Sequence, residues 1–278
     1  MINSNKNIIK LNNYVKIPKI GLGCCMENEY NQTYYAAKWA LESGYRLIDT
    51  ARLYNNEKSI GAAIADSKLD REDIFIITKL WNDDIRKRRT REAFYESLNA
   101  LGVDYIDLYL MHWPVDGMED AWLEMEKLYN EGKIKAIGVS NFHKQHLDII
   151  EKISTTLPVL NQVESHPLMN NQELIDYCQK RNIEVSAWSP LGNQASKYIL
   201  NFYPLINIAS KYNKTSAQIV LRWHIQRNVI VIPKSIRRER IISNINIFDF
   251  ELTSQEMEII NGMNQNIRVG PDPDKFDF

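Results

Sequence analysis

The chain has 278 residues, 44% hydrophobic and 25% charged, the composition of an ordinary globular protein. Its 34 Lys and Arg against 35 Asp and Glu leave a net charge of −1, so no excess charge points to nucleic acid or an anionic membrane. No stretch nears the roughly 18 apolar residues of a spanning helix, Met1 to Lys10 lacks the apolar core of a signal peptide, and three cysteines without CxxC spacing suit a reducing, cytoplasmic setting.

No low-complexity linker interrupts the sequence, so residues 1–278 are expected to form one domain. Residues 7–17 read as a β-hairpin: Ile8-Ile9-Lys10, a turn at Asn12-Asn13, then Tyr14-Val15-Lys16-Ile17. After Pro18, short apolar runs end near Gly23, Asp49, Lys79, His112, Ser140, Val163, Trp188 and Ile232. These ends lie 23 to 33 residues apart, except for a last gap of 44. Each of the first six gaps fits a strand, a loop and a helix, and the last has room for an extra element. Tyr34, Ala37, Ala40 and Leu41 keep helical spacing up to a stop at Gly44. Asp120 to Glu131 carries a stripe of Trp122, Met125, Leu128 and Tyr129 and ends at Gly132. Thr215 is placed to cap a helix running to Gln226.

Eight strands alternating with helices predict a (β/α)8 TIM barrel. The segment Met1 to Ile17 would cap its bottom with the hairpin, and the tail after Gly262 would form an irregular arm. A doubly wound open sheet would need a glycine-rich phosphate turn. The one candidate, Gly21-Leu22-Gly23-Cys24-Cys25-Met26, lacks the third glycine.

Three consecutive predicted strands end in one ionisable side chain each: Asp49, Lys79 and His112, with Tyr54 in the loop after the first. A closed parallel barrel gathers such ends on one face, where barrel enzymes place their chemistry. A tyrosine, a lysine and a histidine gathered there can donate a proton and hold a substrate oxygen. Singly, each residue has a plainer reading. Asp49 suits a strand-end cap, Tyr54 half-buried packing, and Lys79 a Schiff-base amine. His112 has no second His or Cys at ligand spacing, so no metal is expected. His143 and His146 read as solvated side chains of a surface helix, and His166 and His224 as structural.

Beyond single residues, eight segments occur in a telling order. They are Leu47-Ile48-Asp49-Thr50-Ala51, Tyr54-Asn55-Asn56-Glu57, Ile77-Thr78-Lys79-Leu80-Trp81 and Tyr109-Leu110-Met111-His112-Trp113-Pro114. Gly138-Val139-Ser140-Asn141-Phe142, Asn161-Gln162-Val163-Glu164, Ser189-Pro190-Leu191-Gly192 and Ile232-Pro233-Lys234-Ser235 follow. Together they resemble the signatures of the aldo-keto reductase family. The short His112–Trp122 connection and the ending Arg268-Val269-Gly270-Pro271-Asp272-Pro273 look like its microbial and protozoal branch. Diketogluconate reductase-like and prostaglandin F synthase-like proteins belong to that branch.

The resemblance implies NADPH-dependent reduction of aldehydes and ketones, with Asp49, Tyr54, Lys79 and His112 as the catalytic tetrad. Tyr54 would protonate the carbonyl oxygen and neutral His112 would polarise it. A free tyrosine has a pKa near 10; the Lys79 ammonium, oriented by Asp49, is expected to lower it. The resemblance places Ser140, Asn141 and Gln162 on the nicotinamide carboxamide. Trp188, where tyrosine is usual, would stack on the ring, and Ser189, Leu191 and Gly192 would wrap the pyrophosphate. Lys234, Ser235 and Arg240 would clamp the 2′-phosphate of NADP(H). Asn244 would touch the adenine, with Ser243 where an acid is usual. Trp81, Trp113 and His112 would border the substrate, and Cys25 stands where an aromatic residue usually lines the pocket. The expected partner is a small carbonyl compound bound by a monomer. The two other functional readings are a nucleotide-binding regulatory barrel without catalysis and a Schiff-base lyase using Lys79.

Overall fold

The computed structural model describes residues 7–25 and 30–275. Met26, the hairpin lead Met1 to Lys6 and the last three residues of the arm lie outside them. The described residues form ten strands: β1 (Ile8–Lys10), β2 (Lys16–Pro18), β3 (Leu22–Gly23), β4 (Leu47–Asp49), β5 (Phe75–Leu80), β6 (Leu108–Met111), β7 (Ile137–Ser140), β8 (Leu160–Glu164), β9 (Glu184–Trp188) and β10 (Val229–Val231). The first two pair antiparallel, and β3 to β10 form one parallel sheet in chain order. Parallel bridges from Ile20 to Val231 and from Gly23 to Lys234 close the sheet on itself. The chain is therefore an eight-stranded α/β barrel of the TIM type, as predicted.

Gly23 is needed at the closure. A Cβ there would sit 2.5 Å from the Ile232 carbonyl oxygen, closer than any side chain tolerates. The predicted helices appear at Tyr30–Glu42, Met118–Asn130 and Ser216–Gln226. Thr215 caps the last of these through a capping box with Gln218. The long gap before β10 holds two further helices, Ser196–Leu200 and Tyr203–Tyr212. The hairpin's second strand begins at Lys16 rather than Tyr14. Tyr14 has φ +71°, a left-handed conformation that belongs to a turn and not to a strand.

Side chains alternate along a strand with a period of two, and this alternation builds the site. Leu47, Phe75, Ile77, Leu108, Leu110, Leu160 and Ile230 fill one buried cluster, and Leu11 and Ile17 of the hairpin region close it from below. Ile48, Ile76, Tyr109 and Met111 belong instead to the cluster shared with the surrounding helices. Asp49, Lys79, His112, Gln162 and Glu164 stand two or four residues beyond members of the inner set. They share its parity and top the barrel interior.

Candidate active site

Each ionisable group is fixed by the strand beneath it. Asp49 ends β4 and is 2% exposed; Lys79, within β5, is 1% exposed. The Lys79 Nζ donates to Asp49 Oδ1 at 2.7 Å and to the Thr50 carbonyl at 2.8 Å. Gln162 Nε2 donates to the other carboxylate oxygen at 2.7 Å. Burial holds the Asp49 carboxyl above the usual carboxylate range, although Lys79 and Gln162 both pull the other way.

Tyr54 ends a short helical turn, Arg52–Tyr54, and Asn55 follows at φ 51°. Asn56 pins this loop: its Oδ1 accepts from Thr50 Oγ1 at 2.6 Å and its Nδ2 donates to the Cys24 carbonyl at 2.7 Å. The half-buried Tyr54 ring meets His112 edge-on at 5.8 Å, and Lys79 Nζ lies 5.6 Å from the ring centroid. The expectation that Lys79 makes this phenol more acidic is corrected. Burial pushes the Tyr54 hydroxyl well above the tyrosine range, and Cys25 and Asp49 add to the effect. The ammonium donates to Asp49 and the Thr50 carbonyl, and its charge, 5.6 Å from the ring, does not outweigh that burial. Tyr54 therefore keeps its proton at neutral pH, which suits a proton donor.

His112 is held well below the usual histidine range, by burial first and the Lys79 charge second. Its Nδ1 is buried without a partner among the described residues, so Nε2 is the nitrogen that a ligand can reach. His224 is likewise buried and held low. Both rings stay neutral in the fold, whereas unfolded histidines take up protons below about pH 6.5. The unfolded state then binds more protons, so stability falls as pH drops from about 7 to 5. Urea midpoints at the two pH values check this, and His224→Gln is expected to flatten the slope.

Asp49, Tyr54 and His112 border one cavity of about 550 Å³. Its lining includes Cys25, Asp49, Tyr54, His112, Trp113, Ser140, Asn141 and Gln162 on one side. Trp188, Ser189, Leu191, Lys234 and Arg240 complete the predicted set. Five predicted residues stand back from the wall, Lys79 among them, held behind Asp49 by its ion pair. Trp81 lies in the neighbouring cleft with Arg52 and Asp84 and supports the His112 ring edge-on at 5.2 Å. Gly192, at φ +83°, turns the chain behind Leu191. The Ser235 hydroxyl accepts from the Arg237 amide at 3.1 Å, and Asn244 is 6% exposed on the helix Arg238–Ile245.

Asn141 does more than expected. Its Nδ2 donates to the His112 carbonyl at 3.0 Å and Ser140 Oγ at 3.1 Å, and its Oδ1 accepts from Trp188 Nε1 at 2.7 Å. The indole that replaces a tyrosine thus supplies a donor that locks Asn141. Val269, Gly270 and Pro271 of the arm also line the cavity. They carry no periodic pattern, and only their place in the Arg268–Pro273 ending singled them out. His143 and His146 are not the solvated pair expected. His143 Nδ1 meets Asp274 at 2.8 Å, and His146 Nδ1 accepts from the His143 amide at 3.1 Å.

The Aldo/keto reductase family model matches residues 19–265. The 9,11-endoperoxide prostaglandin H2 reductase of Trypanosoma cruzi is 45% identical over 99% of this chain and 98% of its own length. The glyoxal reductase of Bacillus subtilis is 46% identical over the whole of both chains. The crystal structure of a Bombyx mori aldo-keto reductase in complex with NADP superposes with a TM-score of 0.90 at 37% identity, covering 96% of this chain and 95% of that one. A closed barrel, one cavity holding the ordered motifs, and full-length relatives lead to one conclusion: the chain belongs to the aldo/keto reductase family.

Proposed function

We propose that this protein reduces small aldehydes and ketones with NADPH, with Tyr54 as the proton donor. One observation carries the reading. A protonated phenol, a neutral imidazole and Asp49, which the buried Lys79 backs, share one cavity with Gln162, Trp188, Lys234 and Arg240. The residues fit the dinucleotide. Lys234 and Arg240 are exposed and make no ion pair among the described residues, so both cations are available to a phosphate. Gln162 gives its amide nitrogen to Asp49, which leaves its carbonyl oxygen as an acceptor for a carboxamide.

Bound NADPH supplies the hydride for the carbonyl carbon. The chain's residues act on the oxygen. His112 Nε2 donates a hydrogen bond to the carbonyl oxygen and draws electron density from the carbon. Tyr54 transfers its proton to that oxygen, completing the alcohol. The Lys79 ammonium, held by Asp49, offsets the charge that develops on Tyr54 as the proton leaves. Trp113, stacked near His112 at 6.5 Å, supplies an apolar wall. Lys79 is buried and spent on its ion pair, which leaves no free amine for Schiff-base chemistry.

Glyoxal is the first substrate to try, because the relative from Bacillus subtilis is named for it. Steady NADPH consumption is the expected result. Binding of NADPH without turnover of any aldehyde would instead make the chain a nucleotide-binding barrel. Lys234→Ala combined with Arg240→Ala is expected to weaken NADPH binding by about tenfold or more and to leave NADH little changed. Equal losses would remove the two cations from the 2′-phosphate site. The cavity is complete within one chain, which suits a monomer, and the three free thiols suit the cytoplasm.

A further inference from the structure

Glu164 ends β8 beside Trp188 of β9 in the sheet register, and its side chain is fully buried. Nothing in the proton transfer uses it. A buried carboxylate with no function is costly unless its partners satisfy it, and here most partners come from the end of the chain. The Val269 amide donates to Oε1 at 2.5 Å and the Gly270 amide to Oε2 at 3.3 Å. Arg268 Nη1 lies 3.8 Å from Oε2. From the barrel, among the described residues, only His166 Nε2 meets the carboxylate, at 3.0 Å.

These contacts fix where the arm lies. Val269, Gly270 and Pro271 form part of the cavity wall. A Cβ on Gly270 would overlap the six-membered ring of Trp188, so the arm's backbone rests directly on that indole. Trp188 in turn donates to Asn141, whose amide holds the His112 carbonyl. A continuous set of contacts therefore runs from Glu164 through the arm and Trp188 to the strand end that carries the imidazole.

We propose that Glu164 is a positioning residue for the reduction, tying the arm at Val269 and Gly270 against Trp188 and so setting one wall of the cavity. The proposal rests on the functional reading above. Second contacts of this kind matter because a displacement of about 1 Å at a reacting centre can cost about a hundredfold in rate. Glu164→Gln keeps the shape but puts an NH2 group where one of two acceptors stood. It cannot satisfy both arm amides and His166 together.

The experiment has two independent readouts on the full-length protein. Hydrogen–deuterium exchange reports whether the arm is held, with or without activity, and steady-state kinetics with NADPH and glyoxal report the consequence. In Glu164→Gln, peptides covering residues 265–275 are expected to exchange about tenfold faster. The other barrel peptides keep their wild-type rates. The ratio kcat/KM is expected to fall between about ten- and a hundredfold, and Glu164→Asp to recover part of it. Arm exchange that stays at the wild-type rate overturns the proposal, and so does a loosened arm with unchanged kcat/KM. If Glu164→Gln does not fold, Gly270→Ala decides. It keeps the Glu164 side chain and forces the arm and the Trp188 ring apart, so wild-type kcat/KM in that variant also overturns the proposal. A wild-type enzyme that never consumes NADPH refutes the functional reading instead, and the exchange result still reports on the tie.

Discussion

Tyr54→Phe is expected to lower the rate of carbonyl reduction by about 10²–10⁴-fold while NADPH binding stays unchanged. The substitution removes one hydroxyl and keeps the ring against His112, whose edge-on contact is 5.8 Å. The proton has no substitute source of comparable placement. His112 is held neutral by burial, and the Lys79 ammonium is bound to Asp49 and Thr50. The pH profile carries a second signature. Because the Tyr54 hydroxyl is pushed well above the tyrosine range, reduction should not decline through loss of this proton below about pH 10. Stopped-flow NADPH binding and single-turnover rates across pH check both points. Joint loss of binding and turnover would mean that Tyr54 builds the pocket rather than serving as its acid.

The second large effect is on stability. Asp49→Asn leaves the Lys79 ammonium buried without its counter-charge, and breaking one side of a buried pair costs about 3–5 kcal/mol. That is a large share of the roughly 5–15 kcal/mol that holds a typical fold together. Lys79→Met behaves differently. It removes the main charge that pulls the Asp49 carboxyl down, so burial raises that carboxyl further. An acid raised in the folded state destabilises at high pH, and the loss shrinks as pH falls toward its folded pKa. Urea unfolding should therefore show Lys79→Met closer to the wild type at pH 5 than at pH 8, after correction for the wild-type slope. Equal deficits at both pH values would count against this account of the pair.

Much of the barrel can be read in the sequence because its strands are short apolar runs with ionisable ends. Asp49, Lys79 and His112 stand out for that reason, and their inward parity follows from Leu47, Ile77 and Leu110 two residues earlier. What could not be read depends on where loops turn and on charges that meet only in three dimensions. Trp81 follows Lys79 by two residues, but the helix Asn82–Arg86 begins just after it, and the side chain falls into the next cleft. Lys79 and Tyr54 were expected to interact by charge, but the Thr50 carbonyl that shares the ammonium gives no sequence signal. Glu164 lay in a recognised motif without a visible role, because its partners Val269 and Gly270 come 105 and 106 residues later. The arm has no apolar period, so no pattern rule could place it against Trp188.

The hairpin under the barrel gives the reaction its traffic rule. With Leu11 and Ile17 stoppering the lower end, nothing that reaches Tyr54 can drain through the middle of the molecule. What reaches Tyr54 therefore comes and goes on the upper side, through the cavity that Trp113 and Gly270 help to line. An alcohol still held in that cavity keeps the next aldehyde out.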